Sequence, residues 1–508
     1  VKAAGLVLLV VAAGYFGGLQ FWPFALNAPL SNPFKSLSYM SDFSTSIKML
    51  FEGRHLWSDE LPWYYIPKWM AIGSPLYLIG GVVLLPILLW INRRSSVFIY
   101  AVLLTFTAVF PVSYAVIQGS SLYDGMRHFL FVIPVLGVLG AWSWNSLSKL
   151  LPLPALQYGI YSVLLILLLL PTQWMFRNHP YQSVYFNEAF GGAKAAYGHY
   201  EMDYWMNSMK EMCEWLVEND PDIKAGKEKT ILTSSMDPVS YYMRQLAPNV
   251  KVEYVRYTDR HAKAGDYFFF FNRFVDRGLL LSGAWPPGDL VYEVKVDDTP
   301  IAAITRTEPN GFSVKGKASA TQQDTDGAIQ WYAQAVAVDP KDELAWNGLA
   351  QAYLDRQRWA ETKQALDQLF TLSDSEFGTW YLLGQYHYNQ GQVEEAKKAF
   401  EMCKSLNYKQ NLTYYFLAAI AGNQNDPAAV VRHIEDYDRN GGNLGQVFDL
   451  GIAAAGQLSL PAPARYFEAK KALFSGDAQR AFQLMGEALA RDPNYEPALL
   501  LRNQFQAN

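Results

Sequence analysis

Long apolar runs alternate with polar, aromatic intervals over the first third of the chain, and the pattern changes after residue 176. Apolar stretches at 2–19, 70–91, 97–117, 129–144 and 157–176 each approach the roughly 20 residues an α-helix needs to cross a bilayer. They predict an α-helical membrane domain over 1–176 with loops at 23–68 and 119–128. The first run competes with a signal peptide, for which Lys2 would be the basic start. No small-residue cleavage signal precedes a soluble domain, and Phe21-Trp22-Pro23-Phe24 reads as an interfacial belt, so a span is expected. Phe34, Leu37, Met40, Phe43, Ile47 and Leu50 recur at three- or four-residue steps, the spacing of a helix lying in the interface over about 32–51.

Beyond 177 the periods shorten. A juxtamembrane segment, 177–219, carries a helical pattern with Met209, Met212, Trp215 and Leu216 on one face. Residues 220–307 alternate strand-like runs (230–234, 251–256, 266–271) with a helical run at 238–246. They end in two strands, 290–296 and 300–306, around Asp297-Asp298-Thr299, a hairpin signal. This order predicts a small α/β domain, and the absence of a Gly-rich phosphate loop gives it no nucleotide. Residues 308–321, rich in Gly, Ser, Lys and Thr, read as a linker. From 322 to 508 a repeat emerges: Trp346, Leu349 and Tyr353 recur as Trp380, Leu383 and His387, a step of 34 residues. Ala328, Tyr332, Ala335 and Pro340 fit an earlier unit, Gly391, Ala396 and Phe400 continue the second, and Tyr414, Leu417 and Ala421 start a degenerate third. Gly476, Ala481, Ala488 and Pro493 close the array. This is the tetratricopeptide pattern, an all-α solenoid of stacked helix pairs.

Charge sharpens this division. The net charge of −5 and pI near 5.9 leave no basic footprint for nucleic acid. Cys213 and Cys403 stand far apart, with neither metal-ligand spacing nor a disulfide framework, and no metal site is expected. Arg93, Arg94 and Lys149 lie in short loops on the same side as Lys2, which the positive-inside rule makes cytoplasmic. The loops 23–68 and 119–128 and everything after 177 then face the extracytoplasmic side of an inner or plasma membrane. Between two spans, Gly119 to His128 gathers Asp124, Arg127 and His128; such charges either anchor a span at the headgroups or form a site. The spans hold almost no ionisable residues, which argues against a transporter.

Residues 20–205 resemble the C-terminal half of glycosyltransferase-C superfamily enzymes, the protein-mannosyltransferase-like and aminoarabinose-transferase-like group of glycosyltransferase family 39. The resemblance rests on Phe21-Trp22-Pro23, Tyr39-Met40-Ser41, Glu60-Leu61-Pro62-Trp63-Tyr64-Tyr65 with Pro67, and Tyr123-Asp124-Gly125-Met126-Arg127-His128. It continues through His179-Pro180-Tyr181, Tyr185-Phe186-Asn187, Gly191-Gly192 and Asp203-Tyr204-Trp205. It implies transfer of a sugar from a polyprenyl-phosphate donor to an extracytoplasmic protein or glycan acceptor, with no other cofactor. On that reading Arg127, His128 and Lys68 hold the donor phosphate through charge-assisted hydrogen bonds, with Arg54 adding charge. Glu60, Trp63, Tyr64, Tyr65, Tyr123 and Asp124 line the donor and acceptor groove. Trp63 and Tyr65 also suit an interfacial belt, and Lys68 a snorkelling side chain.

The family's catalytic acid belongs to an earlier loop that nothing here matches; Asp42, Asp59 and Glu60 fall in a later one. No catalytic residue is assigned, and a chain that starts at Val1 is expected to continue upstream. The alternative is a non-catalytic, membrane-anchored tetratricopeptide scaffold that holds a protein partner.

Overall fold

A computed structural model describes residues 2–41, 46–308 and 310–507. The chain forms two compact units, Val1–Met49 with Leu56–Leu164 and Leu50–His55 with Leu165–Asn508.

The first unit holds helices α1 (Lys2–Leu19), α2 (Pro23–Asn27), α3 (Asn32–Ser41), α4 (Tyr65–Gly73), α5 (Leu76–Ile91), α6 (Phe98–Ile117) and α7 (Val132–Lys149). It also contains the start of α8 (Pro154–Arg177). Helices α6 and α8 are long and apolar enough to cross a membrane; α5 and residues 5–19 of α1 are shorter apolar helices. The run expected to span at 70–91 is two helices. Pro75 lacks an N–H and drives the preceding Ser74 to extended backbone (φ −105°, ψ 149°), which ends α4 and leaves α5 with 16 residues. Helices α5 and α7 cross where Gly81 meets Gly140: a Cβ on Gly81 would lie 2.6 Å from the Gly140 Cα. Small residues at such a crossing let two backbones approach closely. Trp144 Nε1 locks the crossing by donating to the Tyr77 carbonyl at 2.8 Å.

The interfacial helix expected over 32–51 ends at Ser41, and the expected apolar position Phe43 lies outside the described residues, as does Asp42. A two-stranded hairpin follows, β1 (Lys48–Phe51) and β2 (Arg54–Trp57). Its turn residues Glu52 and Gly53 have φ of 52° and 74°, the backbone that a tight hairpin turn requires.

The second unit continues with α9 (Gly192–Ala196), α10 (Ser208–Asn219) and α11 (Pro221–Lys224). The sheet comprises β3 (Lys229–Thr233), β4 (Val250–Tyr254), β5 (Tyr267–Phe271), β6 (Asp289–Val296) and β7 (Thr299–Arg306), with α12 (Met236–Leu246) and α13 (Arg277–Ser282) between strands. Its order is β4-β3-β5-β7-β6, parallel through β4, β3 and β5 and antiparallel at β7 and β6. Met209, Met212, Cys213 and Leu216 bury the apolar face of α10. Asp297 and Asp298 turn the last hairpin at φ of 48° and 61°. The Asp297 carboxylate accepts from Trp174 Nε1, Arg177 and Asn178, which fastens the last turn of α8 to the hairpin tip.

The stretch read as a linker is helical instead. Gly311 takes φ +62° and the Glu308 carboxylate accepts from the Phe312 and Ser313 amides, opening α14 (Phe312–Thr321). Then follow α15 (Thr325–Val338), α16 (Glu343–Asp355), α17 (Trp359–Leu372), α18 (Phe377–Asn389) and α19 (Val393–Leu406). The array ends with α20 (Asn411–Asn423), α21 (Pro427–Arg439), α22 (Phe448–Gln457), α23 (Pro461–Phe474), α24 (Ala478–Arg491) and α25 (Glu496–Ala507).

The period persists through the degenerate units. Left-handed residues turn the first five helix pairs at Gln323, Gln357, Gly391, Asn425 and Ser459, always 34 positions apart. A small residue on the first helix faces a large one on the second: Gly316 with Tyr332, Gly384 with Phe400, Gly451 with Phe467. The same positions hold Ala350 with Leu366 and Ala418 with Ile434 in their respective cores. The small side lets the helices close and the large side fills the seam, which is how stacked pairs share one core.

The α/β part and the array meet through buried ions. Arg260, 1% exposed, donates to Asp342 Oδ1 at 2.8 Å and to Glu343 Oε1 and Oε2 at 2.7 and 2.8 Å. His261 Nε2 lies 2.9 Å from Asp342 Oδ2, and Ser313 Oγ adds a bond to that oxygen at 3.1 Å.

Two outcomes follow. Gly384→Val places side-chain atoms where the Phe400 ring stands, since even a Cβ would come to 2.6 Å. Thermal unfolding should lose about 1–3 kcal/mol, the usual cost of overpacking, with hydrogen exchange rising first in α18 and α19. His433 is buried on α21 and its Nδ1 has no partner among the described residues. Burial, then Lys404 and Arg432, hold its imidazole down at about 4 against an ordinary 6.5. The unfolded chain therefore takes up a proton that the fold refuses, so stability falls as pH drops from 6.5 toward 4. Melting curves across that window should show a smaller fall for His433→Leu than for the wild type.

Candidate functional site

The first unit gathers part of the expected donor site. Asp124 is 3% exposed and sits at φ +59°, followed by Gly125 at +63°. This left-handed pair bends the loop so that Arg127 Nη1 donates to Asp124 Oδ2 at 2.5 Å. The Arg127 guanidinium also lies 5.3 Å from the Tyr123 ring, and Tyr123 meets His128 edge to face at 4.8 Å. Asp124, Arg127, Tyr123 and His128 therefore form one cluster. Its arginine charge is balanced by the buried carboxylate. Burial, followed by the Arg127 charge, holds His128 below the ordinary histidine range, so this ring contributes no positive charge at neutral pH. His128 Nε2 is buried with no partner among the described residues.

Tyr65, expected in the groove wall, is 2% exposed and supports the loop: its hydroxyl accepts from the Gly125 amide at 3.1 Å and donates to Met49 Sδ at 3.6 Å. Ser58 holds the loop's other end, accepting from Leu122 N through its carbonyl at 3.1 Å and lying 2.8 Å from Ser121 Oγ. Trp63, 70% exposed, and Tyr65 line a pocket of about 190 Å³ against Val116, Gly119 and Leu122. Glu60, Tyr64 and Lys68 do not line it; Glu60 is exposed, and Tyr64 packs against Trp63 at 5.7 Å. A separate groove of about 440 Å³, almost wholly apolar, runs between Pro67, Leu78, Val82, Val109, Val112 and Val132.

The second candidate surface lies on the repeats. First helices of successive pairs approach one another, α14 with α16, α16 with α18 and α20 with α22; among the described residues no comparable approach joins α15, α17 and α19. The array therefore curves with its first helices inside. Three of them carry half-buried residues at equivalent positions: Asn347, Tyr381 and Tyr415, then Gln351, Gln385 and Ala419. Gly378 brings α18 close to α16, since a Cβ there would lie 3.2 Å from Asn347 Nδ2. Phe416 on α20 contacts the Tyr381 and Tyr388 rings at 5.9 and 5.4 Å, fixing both. Helices α18 and α20 contain no Asp, Glu, Lys or Arg, whereas α19 and α21 carry many. Sequence reasoning identified the core positions of these helices and passed over the inner ones. The available signal was the same 34-residue step applied to the neighbouring polar positions.

A family model described as TPR repeat matches residues 316–357, and one described as tetratricopeptide repeat matches 377–410. Among solved structures, a crystal structure of MamA is similar at 18% identity, covering 32% of this chain and 96% of that one, with a TM-score of 0.29. The Cut9–Hcn1 hetero-tetramer of APC/C is similar at 16% identity, covering 38% of this chain and 42% of that one, at 0.30. PilF of Pseudomonas aeruginosa is similar at 14% identity, covering 38% and 96%, at 0.29. No curated protein matches the chain. The helices α14 to α19, the 34-residue turns and the matched repeat models together make the C-terminal region of this chain a tetratricopeptide-repeat solenoid.

Proposed function

We propose that this chain is a membrane-anchored scaffold whose repeat array binds a protein partner on the extracytoplasmic side. The observation that carries this reading is the inner face of the array, an open surface of equivalent positions repeated across three first helices. The anchor in this reading is the set of apolar helices in the N-terminal region, α6 and α8 foremost. The side of the membrane rests on Arg93, Arg94 and Lys149 as cytoplasmic charges.

A second reading, a polyprenyl-phosphate sugar transferase whose donor is held near Arg127, is favoured by one observation. The apolar groove between Pro67 and Val132 suits an isoprenoid chain, and the Asp124–His128 loop leads into α7 beside it. The neutralised Arg127 makes the phosphate end of this reading weaker than the apolar end.

Affinity isolation of the full chain from its source membrane separates the two. The scaffold reading expects a stoichiometric partner whose presence slows hydrogen exchange in α16, α18 and α20. Isolation of the chain alone, with unchanged exchange there, contradicts it. The transferase reading instead expects sugar transfer that Arg127→Ala abolishes; retained transfer with unchanged donor affinity removes Arg127 from that site.

A further inference from the structure

We infer that the joint between the sheet and the first repeats holds a binding site for a small aromatic carboxylate, its ring inside and its charge at the mouth. The site stands whether or not the array takes a partner. A cavity of about 290 Å³ opens between β5, the segment entering β6, and the helices α14 and α15. Phe268, Pro287, Val314, Ala335 and Val338 give it a mostly apolar wall. A dry apolar cavity of about 150 Å³ accepts one benzene ring, so this one is sized for about two fused rings. That places it at the lower end of the volumes that enclose small ligands, roughly 300–1,000 Å³.

Charge decides what the ring should carry. The lining acids nearest the repeats are already engaged. Asp342 is held by Arg260, His261 and Ser313. Glu308 accepts from the Asn310, Phe312 and Ser313 amides, and Asp339 from the Gly288 and Lys341 amides at 2.7 and 3.0 Å. The exposed cations of the lining, Lys263 and Arg306, have looser partners. Arg306 reaches Asp289 at 3.8 Å, beyond hydrogen-bond distance, and both side chains are mostly exposed. Lys263 Nζ lies 3.2 Å from Glu253, a carboxylate that Lys251 approaches to 2.5 Å. One acid between two lysines leaves positive charge over at the mouth. A ligand carboxylate there replaces weak, exposed pairs with charge-assisted hydrogen bonds, whereas an ammonium meets acids that are already filled. Asp289 is the competitor it must displace from Arg306. Because the wall comes from both the sheet and the repeats, a bound ligand favours the joined state and slows the opening of both.

The test is isothermal titration of the full chain in lipid nanodiscs, against empty nanodiscs, with 2-naphthoate, 2-naphthylmethylammonium and 2-naphthalenemethanol as probes. Naphthoate should bind about tenfold or more tightly than either of the others, and should slow hydrogen exchange in β5, α14 and α15. Lys263→Met and Arg306→Met should each weaken it about fivefold, the size of one charge contact at an exposed mouth. Asp289→Asn should strengthen it. Val338 is 54% exposed, so Val338→Trp should fill the mouth and abolish binding without disturbing the core. Circular dichroism melts identify any variant that loses binding by unfolding, and the two cation variants, which alter exposed side chains, test the site independently. Equal or tighter binding of the ammonium or the alcohol overturns the inference. So does the absence of binding by all three probes, or naphthoate binding that survives Val338→Trp.

Discussion

The second unit depends on a guanidinium buried to 1% exposure. Arg260 is surrounded by Asp342, Glu343 and the Tyr257 carbonyl, and its ring neighbour Tyr257 lies 4.6 Å from the guanidinium carbon. Burial alone would push Asp342 toward its neutral form, but His261 and Arg260 outweigh it and hold the carboxyl below the usual range. Asp342 is also the cap of α16, accepting from the Ala345 amide at 3.1 Å. One carboxylate thus starts a repeat helix and pairs with the domain beside it. Such buried ions add little net stability over an apolar contact, yet removing one partner strands the others, at a cost on the order of 3–5 kcal/mol. Their effect is to fix one geometry for the joint.

Around this joint, weaker contacts repeat the theme. Asp276 caps α13 and accepts from Ser373 and Ser375 of the array, and a Cβ on Gly278 would strike Ser373. Lys341 donates to the Gly283 carbonyl and the Gly288 amide to Asp339. The sheet is therefore continuous in packing with the first two helix pairs.

Much of this was legible in the sequence because it rests on local rules. Asp297-Asp298 between two apolar runs announced the hairpin, and the Trp346-to-Trp380 step announced the repeats. Other features were masked by composition. Gly311, Ser313, Gly316 and Ser319 make a linker-like string, yet a small residue at 316 is what the Tyr332 ring demands of α14. The apolar run at 70–91 concealed a break set by one backbone N–H missing at Pro75. The Arg260 cluster joins residues more than 80 positions apart and leaves no periodic trace. For the site residues, charges near a span's end indicated the loop, but the pairing of Arg127 with Asp124 required the left-handed bend at 124–125.

The buried ion cluster makes the α/β domain and the first repeats one body locked by Arg260. Native-state hydrogen exchange on the full chain tests it directly, because amides that open together share one opening free energy. Amides of β3, β5 and β7 should open together with those of α16 and α17, and Arg260→Met should let the helices open first. Independent opening of the helices in the wild-type chain, or an order of opening unchanged by Arg260→Met, would mean that Arg260 does not lock the two parts together.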